Sequence, residues 1–182
     1  MVDWEVNNGL VKDRKSALSQ EIKELLENYH IKISNEAMEK VRDGSIWTDK
    51  FRKSKNFNDV SQTIIDTILG DGIFTYGIWK YFNKQEIRWD HTVPTSVMID
   101  KILSLYYSKS LTFETFSSMV QDAGFITIIT ENEDKELNKF GLRQKMPDDW
   151  DLNGANNAFA RYDKVGIKIY EDKDLLDSDI EG

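Results

Sequence analysis

The stretch Phe125-Ile126-Thr127-Ile128-Ile129-Thr130-Glu131-Asn132-Glu133 decides how this chain is read. Phe125 to Thr130 is the clearest strand signal of the sequence, because β-branched and aromatic residues follow one another without a break. Thr130 then stands where a helix N-cap belongs, and Glu133 three residues on completes a capping box. The pattern predicts a helix from Glu131 to Phe140, closed by Gly141. Upstream, Glu86 to His91 predicts a shorter strand. Between the two strands lie a strongly apolar helix, Val97 to Tyr107, and a second helix, Thr112 to Asp122. The latter turns Phe113, Phe116, Met119 and Val120 inward and has Gly124 as its stop. Strands mixed with helices in this order make the fold α+β.

The first half reads as helical. Ala17, Leu18, Ile22, Leu25, Leu26 and Tyr29 share one face of a helix from about Ser16 to Tyr29, which places His30 at its C-terminus as a dipole partner. Ser34 or Asn35 caps a second helix that Gly44 stops. Val60, Ile64, Ile65, Ile68 and Leu69 mark a third, ended by Gly70-Asp71-Gly72. Ile78 to Phe82 fits either a strand or a helix end. Gly141 to Tyr162 is irregular, and Val165 to Tyr170 suits an edge strand. The expected layout is a helical region over 1–72, a small mixed domain over 73–170 and an acidic tail over 171–182.

Composition limits the function classes. The chain has 182 residues, of which 40% are hydrophobic, so an ordinary core is expected. It has no cysteine, which excludes disulfides, thiolate metal sites and a cysteine nucleophile and fits a cytoplasmic protein. No apolar run is long enough to span a bilayer, and the acidic start Met1-Val2-Asp3-Trp4-Glu5 lacks a signal region. A net charge of −8 weighs against broad, non-specific nucleic-acid binding but leaves room for a local basic surface.

The chemistry-bearing residues surround the two strands. Trp89-Asp90-His91-Thr92-Val93-Pro94 places an acid and one of the two histidines of the chain at a strand end. This resembles the Asp-His-Ile-Val-Pro opening of HNH endonucleases, including the HNH domains of RNA-guided CRISPR effectors. Ile128 to Lys135 is similar to the closing strand and helix of that family. The resemblance covers about 55 residues, Glu86 to Phe140, and implies a ββα-metal unit of strand, strand and helix with an enlarged hairpin loop. It implies that His91 is the general base and that Asp90 and Asp134, with Asn138 nearby, hold Mg²⁺ or Mn²⁺ for hydrolysis of DNA. Arg143 and Lys145 would grip flanking phosphates. The sequence departs from the family in lacking the middle Asn and in carrying Asp at the last metal position.

Other patterns are less specific. Asp122 with Glu133-Asp134-Lys135, and Asp163 with Glu171-Asp172-Lys173, loosely fit a PD-(D/E)xK nuclease. Lys50, Phe51, Arg52, Lys53, Lys55 and Phe57 interleave cations with aromatics. This suits a phosphate-contacting or base-stacking surface, and equally a connection anchored to the core by Phe51 and Phe57. Phe159-Ala160-Arg161-Tyr162 reads as a loop packed by Trp150, Phe159 and Tyr162, or as a recognition loop. The rival to the nuclease reading is a non-enzymatic acidic protein of a phage or mobile element. It would bind a basic nucleic-acid-binding protein, such as a CRISPR effector or a restriction enzyme, and inhibit it through the acids of Asp148-Asp149-Trp150-Asp151 and of the tail.

Overall fold

The computed structural model describes residues 29–70, 72–74, 76–151 and 158–171. The helix expected over residues 16–29 lies outside them, apart from its last residue. That residue and His30 belong to a strand, β1 (Tyr29–Ile33), which the sequence reading missed. His30-Ile31-Lys32-Ile33 alternates polar and apolar residues over too few positions to stand out beside a helical pattern.

The remaining elements follow in order. They are α1 (Asn35–Arg42), α2 (Asp49–Arg52), α3 (Phe57–Leu69), β2 (Ile73–Phe74), a 3₁₀ helix (Tyr76–Tyr81), β3 (Ile87–His91), α4 (Thr95–Tyr107), α5 (Phe113–Ala123), β4 (Phe125–Thr130), α6 (Glu131–Lys139) and α7 (Ala160–Val165). The fold is α+β. Among the described residues the strands form one four-stranded mixed sheet of order β2-β1-β4-β3. β1 runs parallel to β4, with Ile31 opposite Ile126 and Ile33 opposite Ile128. β3 runs antiparallel to β4, with Asp90 opposite Thr127 and His91 opposite Ile126. Because β1 lies between β2 and β4, residues on both sides of position 72 share one sheet and one core.

Directly opposed residues in a sheet share a face. One face therefore carries Ile31, Ile33, Ile126, Ile128, Ile87, Trp89 and His91. Buried residues of the helices complete the main core there: Ile64 and Ile68 of α3, Met98, Ile102 and Leu103 of α4, and Met119 and Ala123 of α5. Phe113, expected to point inward, is 79% exposed. It opens α5 at the α4–α5 connection, nearly two turns before Met119, the first buried residue of the helix. The opposite face carries Thr127, Ile129, Arg88 and Asp90. There Ile129 packs with Leu137 of α6, Tyr162 of α7 and Ile167 in a second, smaller core.

The stretch around Thr130 folds as its sequence predicts. Thr130 Oγ1 accepts from Glu133 N at 3.2 Å, and Glu133 Oε2 accepts from Thr130 N at 2.8 Å. The same oxygen of Glu133 accepts from Ser34 Oγ at 2.6 Å, so the box also ties the start of α6 to the start of α1. Ser34 in turn caps α1, accepting from Ala37 N at 3.1 Å. The chain after residue 158 is less extended than expected. It forms α7, which ends at Gly166 with φ +83°, a left-handed turn that suits glycine. Only an isolated bridge, Ser34 to Ile169, represents the expected edge strand.

Candidate functional site

Asp90 and His91, adjacent in sequence, point to opposite faces of the sheet. Asp90 shares its face with Thr127 and enters the smaller core, while His91 shares its face with Ile126. Asp90 Oδ2 accepts from Tyr162 Oη at 2.6 Å and from the guanidinium of Arg161. Arg161 is fully buried, and Asp90 is 17% exposed. Arg161 Nε donates to Thr92 O at 2.9 Å, and Nη1 donates to Leu142 O at 3.0 Å and to Arg143 O at 3.1 Å. Nη2 donates to Asp90 Oδ2 and His91 O. The five N–H groups of the guanidinium thus meet five oxygens from two segments, 90–92 and 142–143. Thr92 and Thr127 add a hydroxyl pair 2.8 Å apart beside this network.

The electrostatics follow from this burial. Desolvation pushes the Asp90 carboxyl up, opposed by Arg161 and Tyr162 and reinforced by the negative charge of Asp134. Burial and Asp90 push the Tyr162 hydroxyl well up, which keeps it a donor. Burial and the Arg161 charge bring His91 down from 6.5 to about 4, so its imidazole is neutral at pH 7. Glu133 is also pushed up by burial.

The structure thus gathers part of the expected constellation. Asp134, 14% exposed on α6, is near enough for its charge to reach Asp90, and it pairs with Arg143 Nε at 3.2 Å. Arg143 is thereby turned onto Asp134, and its carbonyl is taken by Arg161. Asn138 is exposed farther along α6. Lys145 lines a separate cavity of about 480 Å³ with Phe140, Met146, Asp148, Asp149 and Lys164. No three His, Cys, Asp or Glu side chains gather closely enough to hold a metal ion among the described residues. With Asp90 Oδ2 already engaged by Arg161 and Tyr162, the donor set as it stands does not fit Mg²⁺ or Mn²⁺. The PD-(D/E)xK patterns fare no better. Glu133 is consumed by the capping box, Lys135 pairs with Glu131 at 3.3 Å, and Asp163 sits on α7. Asp172 and Lys173 lie outside the described residues.

The residue the sequence reading undervalued is Arg161. An arginine between Phe159 and Tyr162 in a stretch without strong periodicity gave no hint of its partner 71 positions away.

A second site lies at α2. Trp47 stacks on Phe82 at 5.2 Å, Phe51 meets Phe57 at 5.2 Å and Tyr81 at 4.4 Å, and Phe82 reaches Trp89 of β3 at 6.2 Å. This aromatic cluster seats a basic knob on the sheet. The anchoring role of Phe51 and Phe57 holds, and the cations around them are presented outward. Lys50, Arg52, Lys53 and Lys55 are exposed or nearly so, and Lys80 is exposed beside them. Arg52 is paired with Asp49, whose carboxyl it holds below its ordinary value. Lys50 and Lys80 line a cavity of about 370 Å³ with Thr48, Phe51, Ser54, Asn56 and Tyr81.

Charge is distributed unevenly along the chain. Residues 171–182 hold six acids and one lysine, and residues 1–28 hold six acids and four bases. Residues 29–170 hold 20 acids and 19 bases, nearly a balance. No helix among the described residues is long and apolar enough to cross a membrane. In comparisons with known proteins the chain matches no family model, no curated protein and no solved structure.

Proposed function

We propose that the protein is a cytoplasmic nucleic-acid-binding module that contacts single strands through the basic, aromatic knob of α2 and the 3₁₀ helix. The observation that carries this reading is the shared cavity of Lys50 and Lys80 over Phe51 and Tyr81, on a body that is otherwise close to neutral. Cations beside aromatic rings suit a flexible strand, whose phosphates need neutralising and whose bases need a stacking surface. The lack of cysteine supports the cytoplasmic setting.

Hydrolysis is the second reading, favoured by the nearness of Asp134 to Asp90. In it His91 acts as base, and Asp90 and Asp134 bind Mg²⁺ or Mn²⁺, which requires Arg161 and Tyr162 to release the Asp90 oxygen. Inhibition of a basic defence nuclease draws its support mainly from the acids of residues 171–182.

Single-stranded DNA and plasmid are incubated with the protein in Mg²⁺, Mn²⁺ or EDTA, beside His91→Ala. The proposal expects retarded single strands in every condition and intact plasmid. Metal-dependent nicking that is lost in His91→Ala would replace it with the nuclease reading. Absence of retardation at low salt would overturn it.

A further inference from the structure

The chain runs out of the described body close to the basic knob. Asn35 N donates to Lys168 O at 2.9 Å and Tyr170 N donates to Ile33 O at 2.8 Å, which pins residues 168–170 to the β1–α1 junction. The Tyr170 ring centre lies 5.8 Å from the guanidinium of Arg42, the last residue of α1. From Arg42 the connection to α2 is short and folded back. Ile46 N donates to Lys40 O at 2.9 Å, and Thr48, two residues on, caps α2. Thr48 N donates to Tyr81 O at 3.0 Å and Asn83 N donates to Ile46 O at 2.7 Å, so the segment bearing Lys80 is held to the same connection. Residues 171–182 therefore start near the knob, and twelve residues at about 3.3–3.6 Å each extend up to about 40 Å. The cations nearest their start are already paired, Arg42 with Glu39 and Lys40 with Glu86. On the knob, Lys50, Lys53, Lys55 and Lys80 make no ion pair among the described residues.

We propose that residues 171–182 dock on this knob and compete with a nucleic-acid strand for it. The competition rests on the nucleic-acid-binding reading above and adds its regulation, whereas the docking itself does not depend on that reading. The six acids of the segment supply the charge that the unpaired lysines lack. Their arrangement also matches the cavity. Asp174-Leu175-Leu176-Asp177 sets two leucines between acids. The cavity sets the ammonium groups of Lys50 and Lys80 beside an apolar wall of Phe51 and Tyr81, whose ring centres are 4.4 Å apart. The leucines cover that wall, and the acids meet the lysines. Exposed ion pairs are weak one by one. Tethering makes this contact intramolecular, at an effective concentration on the order of millimolar, so weak pairs suffice to hold it. A long strand, with many phosphates, still displaces the segment, and salt weakens both contacts.

The test has two arms, both on the full chain at physiological salt. In the first, a carbodiimide joins carboxylates directly to amines in contact, and the cross-linked monomer is mapped by mass spectrometry. Cross-links from the acids of residues 171–182 to Lys50 and Lys80 are expected, and they should fade as salt is raised. Cross-links confined to other lysines, such as Lys168 and Lys173, overturn the docking. Cross-links found only between two copies of the chain overturn the intramolecular assignment. In the second arm, Asp174→Asn/Asp177→Asn/Asp179→Asn is compared with the wild type for binding of a single-stranded oligonucleotide by fluorescence anisotropy. The variant should bind about five- to tenfold more tightly, as when a knob covered for about 80–90% of the time becomes free. Equal affinity of the two proteins overturns the competition and leaves the nucleic-acid reading standing. Failure of both proteins to bind the oligonucleotide overturns the nucleic-acid reading and the competition with it, and the cross-links alone then decide the docking.

Discussion

Arg161, fully buried on α7, donates to the Asp90 carboxylate at the end of β3, so a charge pair joins segments that are 71 residues apart. Its remaining donors bind the backbone of His91, Thr92, Leu142 and Arg143. The residue that most resembles a metal ligand in the sequence is thus part of a structural latch. Removing one partner of a buried pair leaves an uncompensated charge. Arg161→Met is therefore expected to lower the unfolding free energy by about 3–5 kcal/mol. Denaturant unfolding measures this, and a double-mutant cycle with Asp90→Asn should show coupling of at least about 1 kcal/mol. Additive effects would show that the pair is not formed.

Tyr162 donates to the same Asp90 oxygen at 2.6 Å from within the smaller core. Tyr162→Phe keeps the ring and removes one hydrogen bond, leaving the carboxylate less satisfied. A loss of about 1–3 kcal/mol is expected, measured by the same unfolding curves.

Glu133 closes the capping box and accepts from Ser34, which links the β1–α1 and β4–α6 junctions. Glu133→Ala should cost about 1–3 kcal/mol by leaving buried donors unpaired. Ser34→Ala removes both the α1 cap and the Glu133 contact and should be comparable. Amide hydrogen exchange should quicken at the first turn of α6 in Glu133→Ala, and at the first turns of α1 and α6 in Ser34→Ala.

His91 supplies a pH dependence. Its folded value of about 4 lies below its ordinary 6.5, so the folded state disfavours the proton. The stability from neutral His91 is fully present above pH 6.5 and is lost as pH falls towards 4. The loss is up to about 3 kcal/mol, from the size of the shift. Asp90 and Glu133, both pushed up, act in the opposite direction, because the folded state binds their protons more readily. The comparison of wild type with His91→Gln isolates the histidine: the variant's stability should fall less between pH 6.5 and 4.

Much of this fold is legible in the sequence, for identifiable reasons. Where one helix face is buried, as in α3 and α4, apolar periodicity suffices, and in α6 the capping residues mark the start. Thr130 and Glu133 form the predicted box because that geometry depends on four consecutive residues. β1 was missed because its place between β2 and β4 is set by pairing with residues about 95 positions away, which local pattern does not encode. Arg161 was missed for the same reason. Asp90 and His91 looked like a dyad because neighbours in sequence suggest neighbours in space. A strand sends consecutive side chains to opposite faces, and β3 does so here.

The most direct test of the central claim is the salt dependence of single-stranded DNA affinity for the wild type and for Lys50→Glu/Lys80→Glu. If these lysines contact phosphate, the variant should bind at least about tenfold more weakly, and its log–log salt slope should be shallower by about one to two contacts. An unchanged affinity and slope in a folded variant would contradict the account and move the nucleic-acid interface away from the α2 knob.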